Sequence, residues 1–438
     1  MSETIARTGW RYTGAVSGLS RDERECVMVR PTARSSTLRA QTEVIVRRVR
    51  SDGDRALREM SRAYDGVSLD ALEVPRAVRA RALVEMEPRL RSALERAARN
   101  IRAVHAAVPP QVVEVETEPG VTVGRRPDPL QRVGIYAPGG RAAYASSVLM
   151  AGIPARVAGV REINLCSPPQ SDGYPALVVL AACEIAGIDR VFAIGGAGAI
   201  AAMAYGTETV PRVDRIVGPG NAYVAEAKVQ VSRDVAIDSP AGPSELLLIC
   251  DASCNARAIA REVVAQAEHD VNACVLVISL DDDTSLAIAD AIEENLAVIA
   301  RAEIVRASLE QNGGLFRAES VAAAIEFANE FAPEHLLLAV SDAERVLPQV
   351  RNAGCVFVGE QSSVVFGDYI TGGNHVLPTG GLARSYSGLG TLDFVRWTSY
   401  QKVTRKAAQR LAVDTAILAD AEGLLGHAGA ALGWSVEC

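Results

Sequence analysis

Histidine is scarce in this chain. Only 5 of 438 residues are histidine: His105, His269, His335, His375 and His427. Four of them sit in polar, glycine-flanked or acid-flanked contexts, and only His105 falls in a plain amphipathic helix pattern. Such placement points to a metal or proton-transfer site assembled from distant parts of the chain. Basic charge is also short, with 45 Lys and Arg against 53 Asp and Glu and a net charge of -8. That balance argues against nucleic acid as the main partner and against anionic membrane surfaces. No apolar run reaches the about 20 residues needed to cross a bilayer. The opening Met-Ser-Glu-Thr-Ile-Ala-Arg lacks the charged-then-apolar layout of a signal peptide, so a cytoplasmic protein is expected. Paired cysteines are missing too: the eight, at 26, 166, 183, 250, 254, 274, 355 and 438, are scattered and mostly lie in apolar runs. They read as reduced, buried thiols. Cys250 and Cys254 lack the second pair that a structural zinc knuckle needs.

What is present is a globular composition, 49% hydrophobic and 22% charged with 36 glycines. The length asks for two or more domains, and small-molecule chemistry is the default. Up to about residue 110 the pattern is helical, with arginine-rich amphipathic stretches around Thr37–Arg50 and Pro75–Val108 and a break at Ser51-Asp52-Gly53-Asp54. Pro109-Pro110 ends that section, and Val112–Val123 alternates as one half-exposed strand.

Val133–Tyr136 is a short apolar strand that runs into Pro138-Gly139-Gly140 and a helix over Tyr144–Val160. A strand opening through a glycine turn into a helix presents free N–H groups that suit a cofactor's phosphates, although a bare tight turn has the same pattern. Strand, helix and strand alternate from Ile163–Cys166 through Val191–Ile194, which implies parallel strands with right-handed crossovers. Gly196-Ala197-Gly198-Ala199-Ile200-Ala201 formally fits a dinucleotide fingerprint, and Ile216–Asn221 repeats the strand-then-glycine theme with an amide at Asn221.

A second series starts at Ala241-Gly242-Pro243-Ser244-Glu245 before the strand Leu246–Ile249. On the helix that follows, Gln266 and His269 are three apart and project from one face, a spacing that fits either shared ion binding or a polar helix end. Phe331-Ala332-Pro333-Glu334-His335-Leu336-Leu337 sets a carboxylate beside an imidazole, between a helix that Pro333 stops and an apolar strand. That pair is a candidate acid/base couple, or else a solvated corner. Gly367-Asp368-Tyr369 and Gly372-Gly373-Asn374-His375 form a loop rich in glycine and ligand-type side chains. The last helix, Ala408–Ala431, carries Glu422 and His427, which cannot point the same way unless Gly426 breaks it.

Taken in order, the motifs Asp52–Leu57, Val133–Gly140, Val217–Asn221, Ala241–Glu245, Gln266–His269, Phe331–Leu337, Gly367–Thr379 and Glu422–His427 resemble the histidinol dehydrogenase family over nearly the whole chain. The resemblance implies an α/β fold of two incomplete Rossmann-like parallel-sheet domains with small N- and C-terminal helical extensions. It implies an N-terminal extension at 1–29, a first domain from 30–135 and 244–389, an NAD-binding domain at 136–243, and a C-terminal segment at 390–438 reaching the partner subunit.

The activity implied is the zinc- and NAD-dependent oxidation of L-histidinol through the aldehyde to L-histidine, in a homodimer with shared sites. Gln266, His269, Asp368 and His427 would hold zinc, His427 from the partner. His335 would take protons and Glu334 would activate water, which explains why the two are adjacent. Ser244, Gln266, His269, Glu334, His335, Asp368, His375, Glu422 and His427 would face substrate. Tyr136, Asn221 and the Gly198 position would face NAD. This chain has Gly198 where the family has glutamine, and Ala145 where proline is usual. Losing one such hydrogen bond costs roughly 0.5–1.5 kcal/mol, so cofactor use is expected to survive. Two alternatives stay open: a relative on the same scaffold that oxidises another polar or amino alcohol, and a catalytically silent metal- or ligand-binding protein.

Overall fold

The run Glu245–Cys250 is buried at every position. A strand can be so only inside a sheet covered on both faces, the situation of parallel sheets. The computed structural model describes residues 9–30, 36–139, 143–240 and 242–435. Gly140 of the first glycine turn, Ala241, Cys438 and the start of the N-terminal extension lie outside the described residues.

Six parallel strands form the first sheet, in the spatial order β1 (Tyr12–Ala15), β11 (Gly314–Arg317), β10 (Cys274–Ser279), β9 (Glu245–Cys250), β12 (His335–Ala339) and β13 (Cys355–Val358). The second holds five: β6 (Arg190–Ala193), β5 (Glu162–Ser167), β4 (Arg132–Tyr136), β7 (Arg215–Val217) and β8 (Ala236–Ile237), again all parallel. Strand order reverses between β9 and β12 in the first sheet and between β4 and β7 in the second. Helices cover both, so the expected α/β class with two Rossmann-like parallel sheets is what the chain adopts.

Four details differ from the sequence reading. Residues 36–106 were grouped with the first sheet, but their helices share a core with the second: Val46 and Leu57 of Ser36–Met60, Ala82 of Arg76–Glu85 and Ile101 of Pro88–Ala106 cluster with Ile135, Leu165 and Phe192. An apolar helix face shows that something covers it, not which sheet does. The N-terminal extension is not only helical, since β1 is the edge strand of the first sheet. Val112–Val123 is a hairpin rather than one strand, β2 (Val113–Glu118) and β3 (Val121–Pro129), turning through Pro119-Gly120 and pairing with β14 (Val395–Val403) in a third, antiparallel sheet. The last helix is two, Arg405–Ala421 and Leu425–Leu432. The break falls at Gly423, whose φ of 74° is one that glycine adopts without strain, and not at Gly426.

The two C-terminal helices pack on each other through Ala416, Ala419, Ala428 and Ala431. They are tied to the third sheet by Thr404 N–H to Gly120 O and Arg410 to Pro119 O. Ile417, Leu418, Leu425 and Trp434 remain exposed on them. All seven described cysteines are free thiols. Among the described residues, no helix is long and apolar enough to cross a membrane.

Candidate active site

At the carboxyl ends of the second sheet the chain leaves β4 and β7 through tight turns. Gly218 has a φ of 114°, and a Cβ there would sit 2.2 Å from the Tyr136 carbonyl oxygen, so only glycine fits. The turn is held from below: Gly218 N–H donates to Asp238 Oδ2 at 2.8 Å, Lys228 Nζ donates to Gly218 O at 3.1 Å, and Lys228 and Asp238 form a buried ion pair. Asn221 caps the helix Ala222–Val231, its amide oxygen accepting from Tyr223 and Val224 N–H at 3.1 Å each. The Asn221 amide N–H groups stay available at an exposed position. Tyr136 is buried, and its hydroxyl accepts the Gly196 N–H at 3.0 Å. Gly198 is also buried, in the first turn of Gly196–Tyr205, where a Cβ would meet Met60 and Leu57 at 3.3 and 3.4 Å. Of the three expected NAD contacts, then, Asn221 presents a side chain outward, while Tyr136 and Gly198 are buried.

The ionisable residues gather at the other kind of strand end, the amino ends of the first sheet. The helix Val321–Phe331 stops at Ala332, whose φ of 51° makes it the one non-glycine residue with positive φ among those described. Pro333 then carries the chain into β12, and Glu334 and His335 fall at its start, both buried. The neighbouring β9 begins beside them and supplies the partners. Glu245 N–H donates to Glu334 Oε2 at 2.8 Å, and His335 Nδ1–H donates to the Glu245 carbonyl at 3.0 Å. A carbonyl can only accept, so Nδ1 keeps its proton and Nε2 is the nitrogen that takes up or releases the second one.

His335 Nε2 points to Asp368 Oδ1 at 3.5 Å and has no hydrogen-bond partner. Ser244, half-buried, lies 3.4 Å from His269 Nδ1 through its Oγ. His269 is exposed, and Gln266, one turn before it, is buried with its amide nitrogen unpartnered. His375 links the two sheets, its Nδ1–H donating to Asp368 O at 2.8 Å and its Nε2 accepting from Ser147 Oγ at 2.9 Å. Ser147 belongs to the helix Ala145–Val157 over the second sheet. Asn374 donates to Met150 O of the same helix at 2.7 Å. The glycine-rich loop is therefore the bridge that sets one sheet's residues against the other's.

Charge follows burial here. Burial pushes the Glu334 carboxyl up to about 8. Burial pulls His335 down, but Glu334 and Asp368 outweigh it and hold the ring up to about 9. For Asp368 burial again opposes ionisation, and the surrounding His335, His375 and His269 outweigh it, leaving the carboxyl below the usual range. The result is a proton-storing floor, Glu334 and His335, under an anionic Asp368.

Among the described residues, no three His, Cys, Asp or Glu side chains gather closely enough to hold a metal ion. Of the four expected ligands, the body of one chain offers only His269 and Asp368 of those types, because Gln266 is an amide and His427 stands on the exposed C-terminal helix pair. Neither Glu422 nor His427 bonds to the other candidates within the chain, and both are exposed. The donors that do converge fit zinc in kind, O and N atoms with a buried amide left without a partner.

The sequence reading missed four participants: Glu245, Arg30, Ser147 and Ala332. Glu245 carried one signal, a carboxylate opening a wholly apolar strand; the others carried none.

With that geometry in hand, a model of the histidinol dehydrogenase family matches residues 28–432. A histidinol dehydrogenase from Methanosarcina mazei is 48% identical over 386 residues, 87% of this chain and 88% of that protein. One from Xanthomonas campestris pv. campestris is 42% identical over 415 residues, 94% and 96% of the two chains. A crystal structure of histidinol dehydrogenase from Elizabethkingia anophelis superposes with a TM-score of 0.92 at 34% identity, covering 97% of this chain and 98% of that one. The chain belongs to the histidinol dehydrogenase family and is an oxidoreductase acting on an alcohol or aldehyde.

Proposed function

We propose that the protein oxidises L-histidinol through the aldehyde to L-histidine, with NAD as acceptor, as a cytoplasmic homodimer with shared sites. The observation that carries the reading is the His335 ring itself, buried with its Nδ1 proton tied to a carbonyl and its Nε2 bare beside Asp368. That is the placement of a proton acceptor that works once the Nε2 proton is gone, a step the ring's raised pKa puts on the alkaline side.

In the first oxidation His335 Nε2 takes the alcohol's O–H proton while hydride leaves the carbon that bears the oxygen. In the second, Glu334 as the carboxylate draws a proton from the water that adds to the aldehyde, and His335, its first proton released, accepts the hydrate's hydroxyl proton while a second hydride leaves that carbon. Two adjacent groups near one carbon can serve both steps without moving the substrate. Gln266, His269 and Asp368, with His427 of the partner subunit, would hold zinc, and Ser244, His375 and the partner subunit's Glu422 would line the substrate. Asn221 and the turn at Gly218 would meet NAD. NAD supplies the hydride acceptor for both oxidations, and zinc supplies a positive template for the substrate's imidazole and amino groups. The apolar side chains exposed on the C-terminal helices support the second subunit, since the two helices bury a small alanine cluster between themselves and are hydrogen-bonded to the third sheet at the Pro119-Gly120 turn.

The test is stoichiometry with the purified enzyme. The reading predicts two NADH formed for each L-histidinol consumed and none with amino alcohols lacking the imidazole. NADH from another amino alcohol, with none from L-histidinol, would transfer the site to a different substrate.

A further inference from the structure

Beneath the Glu334 and His335 pair lies a second buried pair that the reaction does not touch. Arg30 is 7% exposed and Glu245 2%. Arg30 Nε lies 2.8 Å from Glu245 Oε1, and Nη2 donates to Oε2 at 2.9 Å. The same Nη2 donates to the Ala332 carbonyl at 3.1 Å, and the guanidinium sits 3.6 Å over the Phe331 ring. Glu245 spends every polar group it has on this corner. Its N–H holds the Glu334 carboxyl, its carbonyl holds the His335 ring, Oε2 accepts the Glu334 N–H at 3.3 Å, and Oε1 accepts the Gly380 N–H at 2.7 Å.

We infer that Arg30 and Glu245 are positioning residues for the oxidation, a buried ion pair that sets the aim of Glu334 and His335. Ala332 is held in a left-handed conformation that an alanine resists, and the carbonyl of that residue is what Arg30 grips. Releasing it lets the helix end relax, and Glu334 and His335 follow two residues later. Glu245 accepts from two N–H groups and faces the guanidinium at once, so Arg30 is the charge that partners its buried carboxylate. With the carboxylate fixed, the main chain of Glu245 stays in register, and its carbonyl keeps the His335 proton on Nδ1.

Two more features fit that role. Arg30 reaches in from the end of the N-terminal helix Arg21–Met28, far in sequence from every other member of the site. Gly380 belongs to the loop following His375, so the same carboxylate also anchors the bridge between the sheets. Arg30 and the Glu245 carboxylate reach the site only through Glu334, His335 and the backbone beside them, which separates the pair from the residues already assigned.

The inference rests on the proposed reaction, and the experiment separates the two. Full-length, zinc-loaded Arg30→Met, Glu245→Gln and the double variant are compared with the parent for melting temperature, zinc content, kcat and KM with L-histidinol. Each single change leaves one buried charge unpaired and lowers the melting temperature; the double variant recovers most of that loss. Positioning predicts that the double variant nonetheless keeps kcat about 10- to 100-fold down, with KM and zinc content near the parent's, because the aim is lost and the binding groups are not. A double variant that regains the parent's kcat along with its stability would make the pair purely structural and overturn the inference. Failure of the reaction itself appears separately, as no NAD reduction by the parent. In that event the pair is judged on the His335 ring: its Nδ1–H, followed in nitrogen-labelled protein, exchanges slowly in the parent and rapidly in the double variant. Equally slow exchange in both refutes the inference.

Discussion

In the sheet of β4 to β8, the strands release the chain at their carboxyl ends into Ala137-Pro138-Gly139, Gly195-Gly196 and Gly218-Pro219-Gly220. In the sheet of β9 to β13 the same ends carry carboxylates around an open cavity of about 900 Å³ lined by residues such as Ser253, Ser341, Asp342 and Glu360. Asp251 accepts from Ser253 N–H at 3.0 Å, Ser341 N–H at 2.9 Å and Ser341 Oγ at 3.0 Å, and Glu360 accepts the Asn255 N–H at 2.7 Å. Both sheets have a reversal of strand order, the place where open parallel sheets ordinarily bind ligands. The second sheet leaves its crevice to small residues and backbone. The first lines its own crevice with polar side chains, Asp251 and Glu360 tied to neighbouring N–H groups, and carries the Glu334, His335 and Asp368 cluster at the opposite, amino end. The lesson is that topology offers a crevice and side chains decide what it can hold.

The comparison breaks first at Gly218. Gly218→Ala puts a methyl against the Tyr136 carbonyl in a conformation alanine resists, so a loss of about 1–3 kcal/mol or more is expected, with weakened NAD binding. Thermal unfolding and NAD titration check it; an alanine variant with the parent's melting temperature and NAD affinity would mean that the turn is not the cofactor's cradle.

Asp251→Asn should do much less. It weakens several hydrogen bonds at a partly exposed site, about 1 kcal/mol of stability, and leaves kcat unchanged because this end of the first sheet lies opposite Glu334 and His335. Burial works against ionising Asp251, but the Ser253 and Ser341 donors outweigh it and hold the carboxyl below its ordinary value. The sign follows: a depressed carboxylate stabilises the fold above the unfolded pKa of about 3.9, and the benefit is lost as pH falls through the lower folded value. The gap in melting temperature between parent and variant should therefore be full near neutral pH and shrink in acid. A gap that is constant with pH, or a fall in kcat, would return a functional role to that end of the first sheet.

How much of this was legible in the sequence differs between the same two regions. Strands such as Leu246–Ile249, Ile163–Cys166 and Cys355–Val358 announced themselves as short apolar runs, and the observed β9, β5 and β13 contain them. Glu334, His335, Asp368 and His269 stood out as ionisable groups at element ends, and the structure brings them to one end of one sheet. What stayed hidden was relational. The faces of Ser36–Met60 and Pro88–Ala106 were readable as amphipathic, but nothing local says which sheet they cover. Glu245 acts through its N–H and carbonyl, groups that every residue owns, so its identity gave little warning. Arg30 owes its role to a strand 215 residues further along the chain.

The central claim is that the residues at the amino ends of the first sheet are completed by His427 of a second copy. Mixing subunits tests it directly. His335→Asn and His427→Asn enzymes are each expected to be inactive, and after unfolding and refolding together about a quarter of the parent's activity should return, since a two-fold pair of one each contains one intact site. Mixtures that stay as inactive as the separate variants, although shown to have exchanged subunits, would place His427 in the same chain's site or outside it, and contradict the account.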